Sequence, residues 1–524
     1  MLELKNINIS LKKNFNYLLK DFNFTLKQGN KVAVIGEEGN GKSTLLKLIY
    51  DSSLIDDYCE FSGDVIKKGL KIEYLEQALN PVWHEATVNE YFLKKNPNEK
   101  QDFDDYDKLN EISEILVKLH LDSTLAYSEQ LMKTLSGGEK IKVQLAKIIY
   151  KNADILLLDE PTNDLDINTL KWLEKFINES NIPIMFISHD ETLLENTANV
   201  IIHMEQLKKK KEAKYSVEKI GYKEYIEKRL GMIEHQGQVA RKQRADHKAQ
   251  MEKFRQIYQK VEYQQETITR ADPHGGKLLK KKIKSMKSLE KRYEREREDF
   301  LDIPDVEEAI NVSFDSDIYI PNGKTIIKLD IDSLVNADKL LATNIKLNIK
   351  GPKHIVIIGV NGSGKTTLMR IIYEELKNRD DIIVGYMPQN YEELLNSNEK
   401  AMDFIKRDTS KDEMTLVKTY LGAMKFTTEE MEMPIKDLSG GQKAKILLLK
   451  LILNKFNVLL LDEPTRNLSP LSNPVIRNML SSYNGAIISI SHDRKFIDEV
   501  CDSIYELTYE GLIKHDDLND FNTN

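Results

Sequence analysis

Lys31-Val32-Ala33-Val34-Ile35-Gly36-Glu37-Glu38-Gly39-Asn40-Gly41-Lys42-Ser43-Thr44 is the stretch on which the fold turns. Its first five residues and Gly36 read as a short buried strand, and Thr44 to Tyr50 as a helix. Between them lies a turn rich in glycine that ends in Lys-Ser. Glycines let a backbone wrap an anion, and a helix N-terminus presents unpaired N–H groups to it. Strand, loop and helix in this order form the phosphate-loop pattern of a parallel α/β sheet. Gly36, Glu37, Glu38, Gly39, Asn40, Gly41, Lys42, Ser43 and Thr44 are therefore candidate nucleotide-binding residues. Lys42 is placed to reach the outer phosphates, and the Ser43 hydroxyl to ligate Mg2+.

Downstream, Ile155 to Leu158 is a wholly apolar run that ends in Asp159-Glu160. Acids at the carboxyl end of a central parallel strand stand beside the phosphate loop. Asp159 suits the metal shell, and Glu160 suits polarisation of a water for attack on the terminal phosphate. Ile184 to Ile187 is another buried strand, ending in Ser188-His189-Asp190, which sets His189 near the same phosphate. Leu135-Ser136-Gly137-Gly138-Glu139-Lys140 opens a helix, so its amides make a second anion site.

Everything in this set occurs twice. The loop returns as Gly359-Val360-Asn361-Gly362-Ser363-Gly364-Lys365-Thr366-Thr367 after the strand 354–359. The acid-tipped strand returns as Val458 to Asp462-Glu463, the strand before the histidine as Ile487 to His492, and the helix opener as Leu438-Ser439-Gly440-Gly441-Gln442-Lys443. Duplication at this scale outweighs any single motif.

Between the repeats the composition changes. Residues 205–300 carry 27 Lys and Arg against 16 Asp and Glu, a surplus of +11 in a chain whose formal charge is −8, so the rest sums to −19. The stretch opens with Lys208 to Lys211 and reads as a long polar helix over 224–267. A tip at Ala271-Asp272-Pro273-His274-Gly275-Gly276 follows, where Pro and paired Gly are expected to stop helical propagation. A second helix is expected over 277–299. Met251, Phe254, Ile257, Tyr258 and Val261 on the first, and Leu278, Leu279, Ile283, Met286, Leu289 and Tyr293 on the second, recur at helical spacing and define an apolar seam. Lys280, Lys281, Lys282 and Lys284 then face outward as candidate polyanion contacts.

The 524 residues suit two or three domains. Charged residues make up 31 % of the chain, and no apolar run approaches the roughly 20 residues that span a bilayer. Met1 to Lys5 starts as a strand without a signal-peptide core. Cys59 and Cys501 lack metal-ligand spacing, as expected of reduced thiols in a cytoplasmic protein.

With the repeated Leu-Ser-Gly-Gly openers, the chain resembles the ABC ATPase family, in which the signature of one domain closes over the nucleotide held by the other. Gln77, in Tyr74-Leu75-Glu76-Gln77, and Gln389, in Tyr386-Met387-Pro388-Gln389, match its Q-loops at the metal. Asp-Glu-Pro-Thr at 159–162 and 462–465 matches its acid strand, and His189 and His492 its switch histidines. The resemblance implies two ATP per chain. One lies between the Lys42/Glu160 half and the Ser439 signature, the other between the Lys365/Glu463 half and the Ser136 signature, with Ser43, Gln77 and Asp159, or Thr366, Gln389 and Asp462, around Mg2+. Phe15 is a candidate for stacking on adenine, with burial in the core as the other reading.

Two cassettes joined by a charged helical hairpin resemble the ABC-F class in particular, and Gly221-Tyr222-Lys223-Glu224-Tyr225 resembles that class's usual lead-in. The expected architecture is α/β: two P-loop ABC ATPase domains, 1–206 and 303–524, joined by a long basic α-helical hairpin linker, 207–302, with its tip near 268–277. The expected partner is the ribosome, through rRNA and P-site tRNA, with the cassettes at the tRNA exit site, no membrane, and a monomeric, cytoplasmic chain. ATP hydrolysis would release cassettes that ATP holds shut.

The second repeat departs from the pattern: Asn163-Asp164-Leu165-Asp166 corresponds to Arg466-Asn467-Leu468-Ser469, which predicts unequal ATP sites. The interval from Gln77 to Ser136 is 59 residues against 50 from Gln389 to Ser439. That surplus is too small for the inserted arm of some housekeeping members, and residues 516–524 are too few for a helical tail. Both features resemble the antibiotic-resistance branch, which protects the peptidyl-transferase centre from lincosamides, pleuromutilins or streptogramin A; the short tip favours a housekeeping factor for stalled ribosomes instead. A drug-exporter ATPase subunit lacks support without a membrane span. A DNA-associated ABC protein would carry its coiled arms within a cassette.

Overall fold

The computed structural model describes the chain except residues 95, 97–105, 208–211, 268–272, 299, 301–311, 316, 337–338, 396–397 and 516–524. The Lys208–Lys211 run, the centre of the hairpin tip and the tail after His515 therefore lie outside the described residues. The chain divides into two compact units. One comprises residues 1–222 with 310–524, and the other residues 223–309.

The larger unit holds both repeats, each built on a six-stranded sheet. In the first cassette the order is Ile72–Leu75, Ile155–Asp159, Ile184–Ile187, Lys31–Ile35, Val200–Gln206, Glu212–Glu218. The second repeats it as Val384–Met387, Val458–Asp462, Ala486–Ile490, His354–Ile358, Ser503–Thr508, Gly511–His515. The first five strands of each are parallel, and the sixth returns antiparallel at the edge. Val, Ile and Leu fill the central strands because both faces are covered, one of them in part by an antiparallel layer. All five residues of Ile155–Asp159 and of Val458–Asp462 are buried. An antiparallel layer accompanies each sheet: Tyr17–Leu26, Leu2–Leu11 and Cys59–Ile66 in the first cassette, Thr325–Asn336 and Lys339–Lys350 in the second. The edge strand Glu212–Glu218 falls inside the expected linker, so the first cassette continues past residue 206.

The parallel registers bring the carboxyl ends of the phosphate-loop, acid-tipped and histidine-tipped strands together at one edge of each sheet. This edge is where open α/β sheets bind ligands.

One helix begins at Tyr222, the last residue of the first stretch of the larger unit, and runs through the smaller unit to Thr267, and a second spans Pro273–Glu298. At 1.5 Å per residue they are about 69 and 39 Å long. Phe254, Val261 and Met286 are buried between them, with Met251, Tyr258, Leu279, Ile283, Leu289 and Tyr293 packed around. Two expected seam residues do not join it: Ile257 and Leu278 are about half exposed. The second helix also starts four residues earlier than expected. Pro273 occupies its first position, where the missing N–H costs nothing, and Gly275 and Gly276 lie inside the helix rather than stopping it. Lys280, Lys281, Lys282 and Lys284 are exposed.

Candidate functional site: two facing nucleotide berths

Each phosphate loop closes tightly on its own sheet. Gly36 has φ 144°, and a Cβ there would lie 2.2 Å from the Met204 carbonyl oxygen. Gly41 and Gly364, in the left-handed region at φ 89° and 99°, turn the chain into the helices that begin at Lys42 and Lys365. The Lys42 Nζ donates to the carbonyls of Gly36 and Glu37 at 2.8 and 2.9 Å, and the Lys365 Nζ to those of Gly359 and Val360 at 2.9 and 3.0 Å. Burial pushes the Lys365 ammonium below its ordinary range.

The acid-tipped strands bring Asp159 and Asp462 beside the hydroxyls at the start of the phosphate-loop helices. The Ser43 hydroxyl donates to Asp159 Oδ1 at 3.0 Å, and the Tyr74 hydroxyl to Oδ2 at 2.9 Å. Burial raises the Asp159 carboxyl. In the second cassette Thr366 hydrogen-bonds to Asp462, whose carboxyl burial pushes up to about 6. Its Oδ2 is buried with no hydrogen-bond partner among the described residues. A buried, orphaned carboxylate oxygen beside a hydroxyl fits a divalent cation. Gln389 borders this second berth, whereas Gln77 is exposed in the bend after its strand.

Glu160 and Glu463 follow these strands with φ of 51° and 54°, a left-handed conformation that costs a side-chain-bearing residue on the order of 1–3 kcal/mol. The conformation faces each carboxylate toward its histidine. His189 Nε2 lies 3.0 Å from Glu160 Oε1, and His492 Nε2 lies 3.9 Å from Glu463 Oε1. Burial, then Asp462, pushes the Glu463 carboxyl up to about 8. Burial, then Lys365, pushes His492 down to about 3, so its ring is neutral.

The signature segments open their helices with reciprocal caps. The Ser136 hydroxyl accepts from the Glu139 amide while Glu139 accepts from the Ser136 amide, and Ser439 and Gln442 repeat the arrangement. Each signature faces the phosphate loop of the other cassette. Asn361 donates to the Asp164 carbonyl beside Gly138, and the Gly441 amide donates to Glu38. A Cβ on Gly137 would lie 2.7 Å from the Asp164 carboxylate. The second berth encloses about 330 Å³, bordered by Lys365, Thr366, Asp462 and Glu463 of its own cassette and by Asn163 and Asp164 of the first. Phe15 is 72 % exposed, which removes the reading of it as core.

Beyond the berths, a buried ionic clamp joins the cassettes. Arg477, 2 % exposed, grips Glu191, 4 % exposed, through two N–H···O contacts at 2.5 and 3.2 Å. Arg494 pairs with Glu174, and at 3.3 Å with Asp190. Arg466 meets Asp164 at 2.9 Å, Tyr222 donates to the Pro470 carbonyl at 3.2 Å, and Ile167 packs on Val356, Ile358, Ile497 and Ile504. None of these contacts has a local sequence signal. The clamp becomes visible only when the repeats are aligned position by position, because Glu174 and Glu191 then stand opposite Arg477 and Arg494.

A family model described as "ABC transporter" matches residues 19–163 and 342–466. The chain is 32 % identical to the ATP-binding protein Uup of Buchnera aphidicola subsp. Acyrthosiphon pisum, over 97 % of this chain and 80 % of that one. It is 29 % identical to the ribosome protection protein VmlR of Bacillus subtilis, over 98 % and 88 %. Its fold is similar to that in the crystal structure of archaeal ribosome recycling factor aABCE1 with stalk protein aP1, with a TM-score of 0.56 and 17 % identity over 97 % and 90 %. With duplicated phosphate loops facing duplicated signatures across one interface, the chain belongs to the ABC-F subfamily of ABC ATPases and is an ATP hydrolase.

Proposed function

We propose that this ATPase acts in the cytoplasm on the ribosome, docking at the tRNA exit site, and that its hairpin protects or rescues translation from antibiotics at the peptidyl-transferase centre. The observation that carries this reading is the exposed row Lys280, Lys281, Lys282 and Lys284 on a helix whose other face is zipped to its partner. Such a row neutralises RNA phosphates with an affinity that falls steeply with salt. The similarity to the ribosome protection protein VmlR supports protection, and a housekeeping factor for stalled ribosomes is the second reading. No described helix is long and apolar enough to cross a membrane.

In the proposed mechanism each ATP is held by one phosphate loop and the opposite signature. Mg2+, held by Ser43 and Asp159 with Gln77, or Thr366 and Asp462 with Gln389, would neutralise charge on the phosphates. Lys42 and Lys365 leave their loop carbonyls for phosphate oxygens. Glu160 and Glu463 orient and deprotonate the attacking water, and His189 and His492 hold those carboxylates and the terminal phosphate in register.

Cell-free bacterial translation stalled by lincomycin or a pleuromutilin tests this. Recovery on adding the chain with ATP is expected; binding to ribosomes without recovery selects the housekeeping reading. Changing the four lysines to alanine should lower the slope of log affinity against log salt by about three. An unchanged slope would reduce the hairpin to a spacer.

A further inference from the structure

At matching positions of the two phosphate loops stand Glu38 and Asn361. Both reach the second glycine of the opposite signature: a Cβ on Gly441 would lie 2.6 Å from Glu38 Oε2, and one on Gly138 would lie 2.5 Å from Asn361 Nδ2. Their hydrogen bonds differ because their chemistry does. The Asn361 amide donates, and it takes the Asp164 carbonyl of the first D-loop. A carboxylate has nothing to donate. The equivalent carbonyl, that of Asn467, lies 2.7 Å from the same Gly441 Cβ position, yet Glu38 turns to the Gly441 N–H and accepts from it.

That N–H sits in the first turn of the helix Gly440–Leu453, where unpaired amides and the helix dipole favour an anion. In the proposed mechanism this is where the terminal phosphate of the ATP on Lys42 is received. We infer that Glu38 is a resident anion in that berth: its carboxylate holds the second signature in the nucleotide-free chain, and a triphosphate closes the first site only by displacing it. The first site therefore discriminates between ATP and ADP less sharply than the second. Asn361 carries no charge to displace.

The inference rests on the sandwiched placement of ATP, and the experiment separates the two. In the full chain carrying Lys365→Ala, which restricts nucleotide to the first berth, binding of a non-hydrolysable ATP analogue and of ADP is titrated. Glu38→Gln should tighten the analogue about tenfold while leaving ADP unchanged, since ADP brings no group to the signature. Glu38→Asp, which keeps the charge but is one methylene shorter and cannot reach Gly441 in the same pose, should fall between. In the reciprocal chain carrying Lys42→Ala, Asn361→Glu should weaken the analogue by a similar factor. Equal shifts for ADP and analogue, or no shift with Glu38→Gln, would overturn the inference. If instead Ser439→Glu in the Lys365→Ala chain leaves analogue binding intact, the sandwiched placement of ATP itself is wrong.

Discussion

The two nucleotide berths are made of the same motifs and differ in how charge is distributed around them. In the first, Glu160 and His189 are already in contact at 3.0 Å, Asp159 has both oxygens engaged, and a loop carboxylate, Glu38, occupies the opposing signature. In the second, His492 stands 3.9 Å from Glu463, one oxygen of Asp462 has no partner among the described residues, and neutral Asn361 meets a carbonyl. The D-loops that cross over differ likewise. Asp166 accepts from Lys142 at 3.0 Å and from the Thr169 amide at 2.9 Å, whereas the uncharged Ser469 hydroxyl accepts from the Leu471 amide at 3.2 Å. A duplicated fold thus keeps its backbone and separates its halves through a few side chains at the interface.

The largest effect should come from removing both acids. Glu160→Gln with Glu463→Gln is expected to lower steady-state ATP turnover by about 10²–10⁴-fold while leaving two ATP bound. Native turnover in that variant would remove both carboxylates from the chemistry. The single variants sharpen the contrast: equivalent sites would give equal single-turnover rates, and the geometry predicts unequal ones.

Next comes the clamp. Arg477→Met leaves the buried Glu191 with Lys495 at 3.4 Å as its remaining cation and should cost up to about 3–5 kcal/mol of unfolding free energy, most of which Glu191→Met on the same chain restores. A loss below about 1 kcal/mol would mean that solvent reaches the pair as it does a surface bridge.

Making the first D-loop like the second with Asp166→Ser leaves Lys142, 7 % exposed, without its carboxylate. A loss of about 2–4 kcal/mol is expected in urea denaturation, and a neutral result would erase this part of the contrast.

One further contrast is read by pH. Glu463 ionises near 4.5 in the unfolded chain and near 8 in the folded, nucleotide-free one. A raised folded pKa contributes stability that is complete below the unfolded value and lost as pH climbs through the folded one. Glu463→Gln, always neutral, should melt higher than the native chain by a margin that opens between about pH 5 and pH 8 and then stops growing. A margin independent of pH would place the ionised carboxylate in water.

What the sequence made legible was encoded locally. Gly36 to Thr44, Ile155 to Glu160 and Ser136 to Glu139 carry their geometry in consecutive residues, so loop, acid strand and cap could all be read, and the repeat supplied the second set. The apolar seam was legible for the same reason, although helical spacing alone drew it too wide at Ile257 and Leu278. At the hairpin tip two local signals competed, and Pro273 as a helix starter prevailed over Gly275 and Gly276 as stops. The partner of Glu38 stands 403 residues away, at a place no periodicity reports. The capture of the edge strand Glu212–Glu218 by the first sheet depended equally on tertiary pairing.

The clamp has a polarity. Its acids, Glu174, Asp190 and Glu191, belong to the first cassette, and its arginines, Arg477 and Arg494, to the second; Glu174 and Glu191 correspond to Arg477 and Arg494 in the duplicated fold. Two copies of the first cassette would meet with carboxylates against carboxylates, and two of the second with guanidiniums against guanidiniums. Either pairing buries like charges and is rejected by the same interface that favours the mixed one. Cassettes with this charge pattern pair with each other rather than with copies of themselves, and one chain that carries both supplies them in equal amounts, as such a lock requires.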